Sequence, residues 1–176
     1  MKHYLLTLMA LLTAMTLAAQ DNRIFIDDFE IDRDSTVTVP VMLANVDPTR
    51  GIQFNLTLPQ GLTLGDYEET PYSVKYKMSI TCRHKADQDY YMLLLVPSRP
   101  VCFPPDTARV INLTLAASSD FKGGTIDVWQ CRGSTKDNHT IVMGGDAVQV
   151  TVPEASLIGI PMEQKPAEDQ FFNKRD

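Results

Sequence analysis

The chain has 176 residues, 16 Lys and Arg against 22 Asp and Glu, a formal net charge of −6 and 44% hydrophobic residues. That is enough apolar material for one domain with a real core, and it excludes a disordered chain. The acidic balance and the lack of any basic stripe argue against a nucleic-acid partner.

Met1–Gln20 reads MKHYLLTLMALLTAMTLAAQ. Lys2 supplies a short positive region, Leu5–Leu17 is an almost wholly apolar run, and Leu17-Ala18-Ala19 sets small residues before Gln20. This is the layout of a secretory signal peptide spanning residues 1–19, with cleavage expected between Ala19 and Gln20; the run is too short for a membrane span. The expected location is therefore secreted, periplasmic or cell-surface associated, with no membrane span. Losing 19 of 176 residues leaves 157, with 15 basic and all 22 acidic residues and a net charge of −7.

Beyond the leader, apolar residues recur with a period of two, the signature of strands with one buried and one wet face. Asp34–Asn45 sets Val37, Val39, Val41 and Leu43 on one face, with Pro40 opposite; a proline cannot donate to a ladder, so an edge or bulge is expected there. Ile52–Leu58 sets Ile52, Phe54, Leu56 and Leu58 inward and Gln53, Asn55 and Thr57 outward. Tyr72–Arg83 gives the longest alternation, with Tyr72, Val74, Tyr76, Met78, Ile80 and Cys82 on one face. Further strands are expected at Ile24–Ile31, Tyr90–Val96, Arg109–Ala116, Thr125–Cys131, Thr140–Met143 and Ala147–Val152.

Turn signals such as Asp47-Pro48, Pro59-Gln60-Gly61, Lys122-Gly123-Gly124 and Gly144-Gly145-Asp146 separate these runs. About nine short strands with frequent turns and no room for crossover helices predict an all-β fold, an immunoglobulin-like or jelly-roll β-sandwich. The domain is expected over residues 20–160, and the charged stretch 161–176 reads as a flexible C-terminal tail.

Three cysteines, Cys82, Cys102 and Cys131, make an odd number in an oxidising compartment, so one bridge and one free thiol is the simplest reading. Cys82–Cys131 is the favoured pair, because both lie on strands that can face one core, whereas Cys102 lies in the proline-rich PSRPVCFPP.

The stretches TVTVPVMLANV and GIQFNLTLP, at Thr36–Val46 and Gly51–Pro59, together resemble the opening strands of cohesin-like domains. Pro40, Asn45, Gly51, Phe54, Pro59 and Gly61 occupy the matching places, and ARVINLTLAASSDFKGGTIDV is similar to the paired late strands of that family. The resemblance implies a jelly-roll sandwich in the superfamily shared by cohesins and some carbohydrate-binding modules. It also implies a non-catalytic role in extracellular adhesion, scaffold assembly or polysaccharide capture. Scaffold cohesins bind a dockerin with one sheet face and usually occur as repeats; this chain carries one copy.

Catalysis finds little support in the residues. His84 and His139 lie in polar, turn-like settings without spaced partners, and no G-x-S-x-G, H-E-x-x-H or EF-hand pattern occurs. Adjacent carboxylates such as Asp27-Asp28 and Glu68-Glu69 point to opposite faces of a strand. No catalytic residue, metal ligand or cofactor is therefore expected. The aromatic residues offer a binding site instead. If Ile126 and Val128 face the core, Trp129 is exposed as a platform; if the register is inverted, Trp129 is buried beside Cys131, and the cysteine neighbour favours that reading. Tyr90 and Tyr91 are adjacent, so one faces outward, and Tyr91 joins Trp129 as a candidate ligand-binding residue. The sequons at Asn55 and Asn112 fall on the wet face of strands, where Asn and Thr simply alternate with apolar residues, and with Asn138 they read as coincidence unless the source is eukaryotic. The expected function is a secreted binding module for an extracellular carbohydrate or glycoprotein, with cohesin-type docking of a surface protein as the alternative and a glycan-active enzyme third.

Overall fold

Period-two patterning becomes twelve strands and one short helix in the computed structural model, which describes residues 22–154. The strands are β1 (Arg23–Phe25), β2 (Phe29–Glu30), β3 (Thr36–Asn45), β4 (Gly51–Thr57), β5 (Leu62–Glu69), β6 (Met78–Lys85), β7 (Tyr90–Pro97), β8 (Asp106–Ala117), β9 (Gly124–Ser134), β10 (Thr140–Val142), β11 (Gly144–Gly145) and β12 (Ala147–Thr151). The helix α1 (Pro71–Lys75) joins β5 to β6. The expected signal peptide and C-terminal tail lie outside the described residues.

Two sheets form a sandwich. The smaller has the order β11-β1-β3-β8-β5, and the larger β2-β12-β9-β4-β7-β6, with β10 on β9. All neighbours are antiparallel except β1 with β11 and β2 with β12. The inner faces close on each other through fully buried side chains, among them Val41, Leu43, Ile111 and Leu113 from one sheet and Ile52, Phe54, Leu93 and Leu95 from the other. Each large apolar side chain removed from water in this way contributes roughly 1.5–3 kcal/mol. Pro40 meets both conditions expected of it. Strand β1 reaches only Met42–Ala44, leaving Pro40 on an open edge, and β3 slips register between Val41 and Met42.

Two expected elements differ, and one strand, β5, has no counterpart among the expected ones. Ile24–Ile31 is two strands in different sheets, because the adjacent Asp27 and Asp28 break the alternation and Asp28 Oδ1 accepts the Gln149 N–H at 2.8 Å. Strand β5 escaped notice because Gly65 falls at a register slip between Leu64 and Asp66, which scrambles the period of LTLGDYEE. The largest correction is Tyr72–Arg83, whose first half is helical. Thr70 caps α1, Pro71 occupies its first turn, and Ser73 completes a capping box with Thr70, so local capping chemistry overrides the apolar alternation. Tyr72 and Tyr76 still turn inward, with ring centroids 6.1 and 6.0 Å from Phe103, but Val74 is exposed and Ser73 is buried.

Val74 is 55% exposed, so Val74→Asp should change stability by less than about 0.5 kcal/mol, where a buried strand position would lose several times that. Gly145 is the opposite case. A Cβ there would run into the Val128 carbonyl and crowd Cys131 Sγ, both held by packed strands. Gly145→Ala should cost about 1–3 kcal/mol or more in a urea titration.

Candidate functional site

The outer face of the larger sheet stands out because β7 is apolar on both sides. Its inward residues Leu93 and Leu95 are buried at 0% exposure. Its outward residues Tyr90, Met92 and Leu94 are half-buried and Val96 is exposed, and they make an apolar column along the length of the strand. A strand with one wet face alternates apolar and polar residues; one that is apolar throughout has the composition of a strand covered on both faces. The continuous run YYMLLLVP was the available signal for this, and it is a different signal from the isolated aromatics.

Register places the neighbours of this column. On one side stands β4, whose Thr57, Asn55, Gln53 and Gly51 face the same way; on the other stands β6, with Arg83 opposite Met92 and Lys85 opposite Tyr90. Beyond β4, Trp129 of β9 lies opposite Asn55. Trp129 is half-buried, its Nε1–H donates to Thr57 Oγ1 at 3.0 Å, and Tyr90 meets it edge-on with centroids 5.2 Å apart. A groove of about 490 Å³ runs beside it, lined by Thr57, Asp127, Val128, Gly145, Asp146 and Ala147. A second groove of about 190 Å³ lies at the other end of the face, over Gly51, between Leu94, Val96, Arg132 and Ser134.

The burial of Trp129 beside Cys131 is corrected by a β-bulge. Phe54 of β4 faces both Gln130 and Cys131, because the pairing passes from Gln53–Arg132 to Asn55–Trp129, and Gln130 adopts φ 49°. The extra residue reverses the parity of β9, so Ile126, Val128 and Cys131 are all inward while Trp129 is outward. Asn55 is held in the same feature. It is 1% exposed, its Nδ2 donates to Gln130 Oε1 at 2.9 Å, and its Oδ1 has no hydrogen-bond partner among the described residues. Tyr91 does not join Trp129. It shares the inward parity of Leu56, packs against the core, and stacks on His84 with centroids 4.5 Å apart; Tyr90 takes the outward place.

The expected Cys82–Cys131 bridge is absent, and Cys82, Cys102 and Cys131 are free thiols. Cys82 lies on β6 and Cys131 on β9, with β7 and β4 between them. Three strand spacings amount to about 14 Å, against the roughly 4.4–6.8 Å between Cα atoms that a bridge needs. Burial, with the nearby Asp146 carboxylate adding to it, pushes the Cys131 thiol up to about 12. His84 Nε2 lies 3.5 Å from Asp89 Oδ1 at the exposed end of β6, and His139 is exposed in a turn; neither touches the Trp129 groove.

No family model and no curated protein matches this sequence. Solved structures do match by shape. A cohesin from the archaeon Archaeoglobus fulgidus superposes with a TM-score of 0.63 at 12% identity, covering 80% of this chain and 99% of that one. The structure of a type I cohesin–dockerin complex from Clostridium thermocellum gives a TM-score of 0.64 at 12% identity over 76% and 99%. The cohesin module of a Clostridium perfringens family 33 glycoside hydrolase gives 0.61 at 7% over 77% and 100%. The chain therefore has the cohesin-like jelly-roll fold that its opening strands resemble.

The raised Cys131 thiol fixes a pH dependence. In the folded state it keeps its proton above pH 9, where an unfolded thiol ionises, so its contribution is complete below about pH 9 and is lost as the pH rises toward 12. The stability of the native protein should fall across that window, and less steeply in Cys131→Ala. Iodoacetamide should modify Cys131 only after denaturation.

Proposed function

We propose that this chain is a non-catalytic protein-docking module acting outside the cytoplasm, with the outer face of its larger sheet as the docking surface. One observation carries the reading: the column Tyr90, Met92, Leu94 and Val96, extended by Trp129, is apolar and reaches solvent, with Val96 exposed and the others half-buried. Covering such a column from outside supplies the hydrophobic term that drives association. The outer face of the smaller sheet is more broken up: Thr36, Thr38, Asn112 and Thr114 lie along it, with a hydroxyl contact of 3.4 Å between Thr38 and Thr114, and its apolar residues Phe25, Pro40 and Met42 sit beside Arg23, whose guanidinium covers the Phe25 ring. Structural neighbours sharing the fold were solved in complex with dockerins, which supports a protein partner. The leader-like opening supports export.

Capture of an extracellular carbohydrate is the second reading, favoured by the groove beside Trp129 with its hydroxyl and carboxylate lining. Against it, Tyr90 packs against the Trp129 ring and Thr57 holds its indole N–H, so part of the ring is already taken up within the face.

A photo-crosslinking residue at Leu94, and another at Thr38 on the opposite sheet, separate these outcomes. With the surface fraction of the source cells, the Leu94 probe should give a discrete protein adduct and the Thr38 probe none, and Met92→Asp should abolish the adduct with little change in Tm. Equal labelling from both positions would remove the docking face. Retention on a glycan array that Trp129→Ala eliminates would replace the protein reading with the carbohydrate one.

A further inference from the structure

Which partner the face accepts is written in the charges beside it. Arg83 and Lys85 project from β6 on the same side as the β7 column, opposite Met92 and Tyr90 and one strand spacing of about 4.8 Å away. Neither makes an ion pair among the described residues, although the chain carries 22 acidic groups. The two acidic residues nearest in sequence, Asp87 and Asp89, lie in the β6–β7 turn, where Asp87 accepts from Gln88 Nε2 at 3.5 Å and Asp89 is turned to His84. Asp127 lies across the face on β9, with β4 and β7 between it and β6. One flank of the apolar column is thus basic and unneutralised, in a protein that is acidic as a whole.

Resting on the docking reading above, we infer that the partner presents an amphipathic segment whose apolar stripe covers the β7 column and whose carboxylates reach Arg83 and Lys85. Arg83 is exposed and Lys85 half-buried, and unpaired cations in such settings contribute little to the fold of a free domain. At the rim of an apolar contact they set register and partner choice, because burying the neighbouring column lowers the local dielectric and sharpens the difference between an acidic and a basic partner. Cations on an edge strand also discourage unwanted strand pairing. That role concerns the open backbone edge of β6, and it makes no distinction between partners lying on the outer face.

Two synthetic amphipathic peptides of equal length and identical leucine stripe, one flanked by glutamates and one by lysines, provide the test. Each is titrated into the full chain, followed by amide-resolved NMR and by the emission of the chain's single tryptophan, which sits on this face. The glutamate peptide should shift the amides of β6 and β7 and bind about tenfold or more tightly than the lysine peptide at low salt, the difference collapsing at high salt. The double substitution Arg83→Glu with Lys85→Glu should reverse the preference. Equal binding of both peptides on β7 would overturn the charge assignment while leaving the docking face intact. Shifts confined to another surface, or binding by neither peptide, would overturn both.

Discussion

One irregularity, the two-for-one pairing of Gln130 and Cys131 against Phe54, organises the closed edge of the sandwich. Strand β9 pairs with β4 along one edge and with β10 and β12 along the other, and the bulge falls in the gap between those two partners, where residues 128–131 are left to hold the returning chain. Around the bulge, the Cys131 carbonyl accepts the Met143 N–H at 3.1 Å and the Val128 N–H donates to the Asp146 carbonyl at 3.0 Å. These two bonds clamp residues 143–146 as the chain leaves β10 in the larger sheet, visits the smaller sheet as β11 beside β1, and returns as β12. The crossing passes so near to β9 that only a glycine fits at position 145. The two sheets are thereby tied at one side through backbone contacts, where a disulfide might have been expected from the cysteine count.

The same bulge decides what the outer face presents. Reversal of parity places Trp129 outward at a position that a regular strand ending in an inward Cys131 would have buried. Tyr90 arrives from β7 to pack against it, and Thr57 from the intervening β4 fixes its indole N–H. The apolar column of β7 and the single tryptophan are thus joined into one surface across a polar strand. The smaller sheet has its slip at Val41/Met42, where β8 accommodates Val110 as a further buried residue. That slip adds to the core, and the outer face beside it mixes threonines with Phe25, Pro40 and Met42. Two sheets with similar inner faces therefore differ outside, and the difference is what makes one of them a candidate for recognition.

Much of this was legible from period-two alternation alone. The inward sets of β3 and β4 follow directly from the sequence, since each strand is packed on one face and keeps its side-chain parity throughout, whereas in β8 the slip buries Val110 beside Ile111, which alternation does not give. The failures have specific physical causes. Alternation in YSVKYKMSITCR suits a strand, but Thr70-Pro71 followed by Ser73 is a helix start, and a cap and a proline at the first turn act at shorter range than burial does. Parity cannot be carried across a bulge, so the orientation of Trp129 could not be inferred from its distance to Cys131. The candidate face itself was readable, because YYMLLLVP has no polar residue with which to make a wet side. The signal lies in the strand as a unit and not in its single aromatic rings.

Asn55 shows how closely the face and the fold are joined. An outward position on a central strand would ordinarily leave an amide in water, yet this one is covered, with Trp129 and Met92 as its strand partners. Leaving its Oδ1 unpaired costs on the order of 1–3 kcal/mol, and an aliphatic residue of similar size would avoid that cost. What the asparagine supplies is the hydrogen bond from Nδ2 to Gln130, the one side chain whose backbone adopts the left-handed conformation at the bulge. The amide therefore couples the geometry that closes the core to the geometry that exposes Trp129. A substitution that relaxed the bulge would disturb the chain crossing and the outer face together, so the two cannot vary independently.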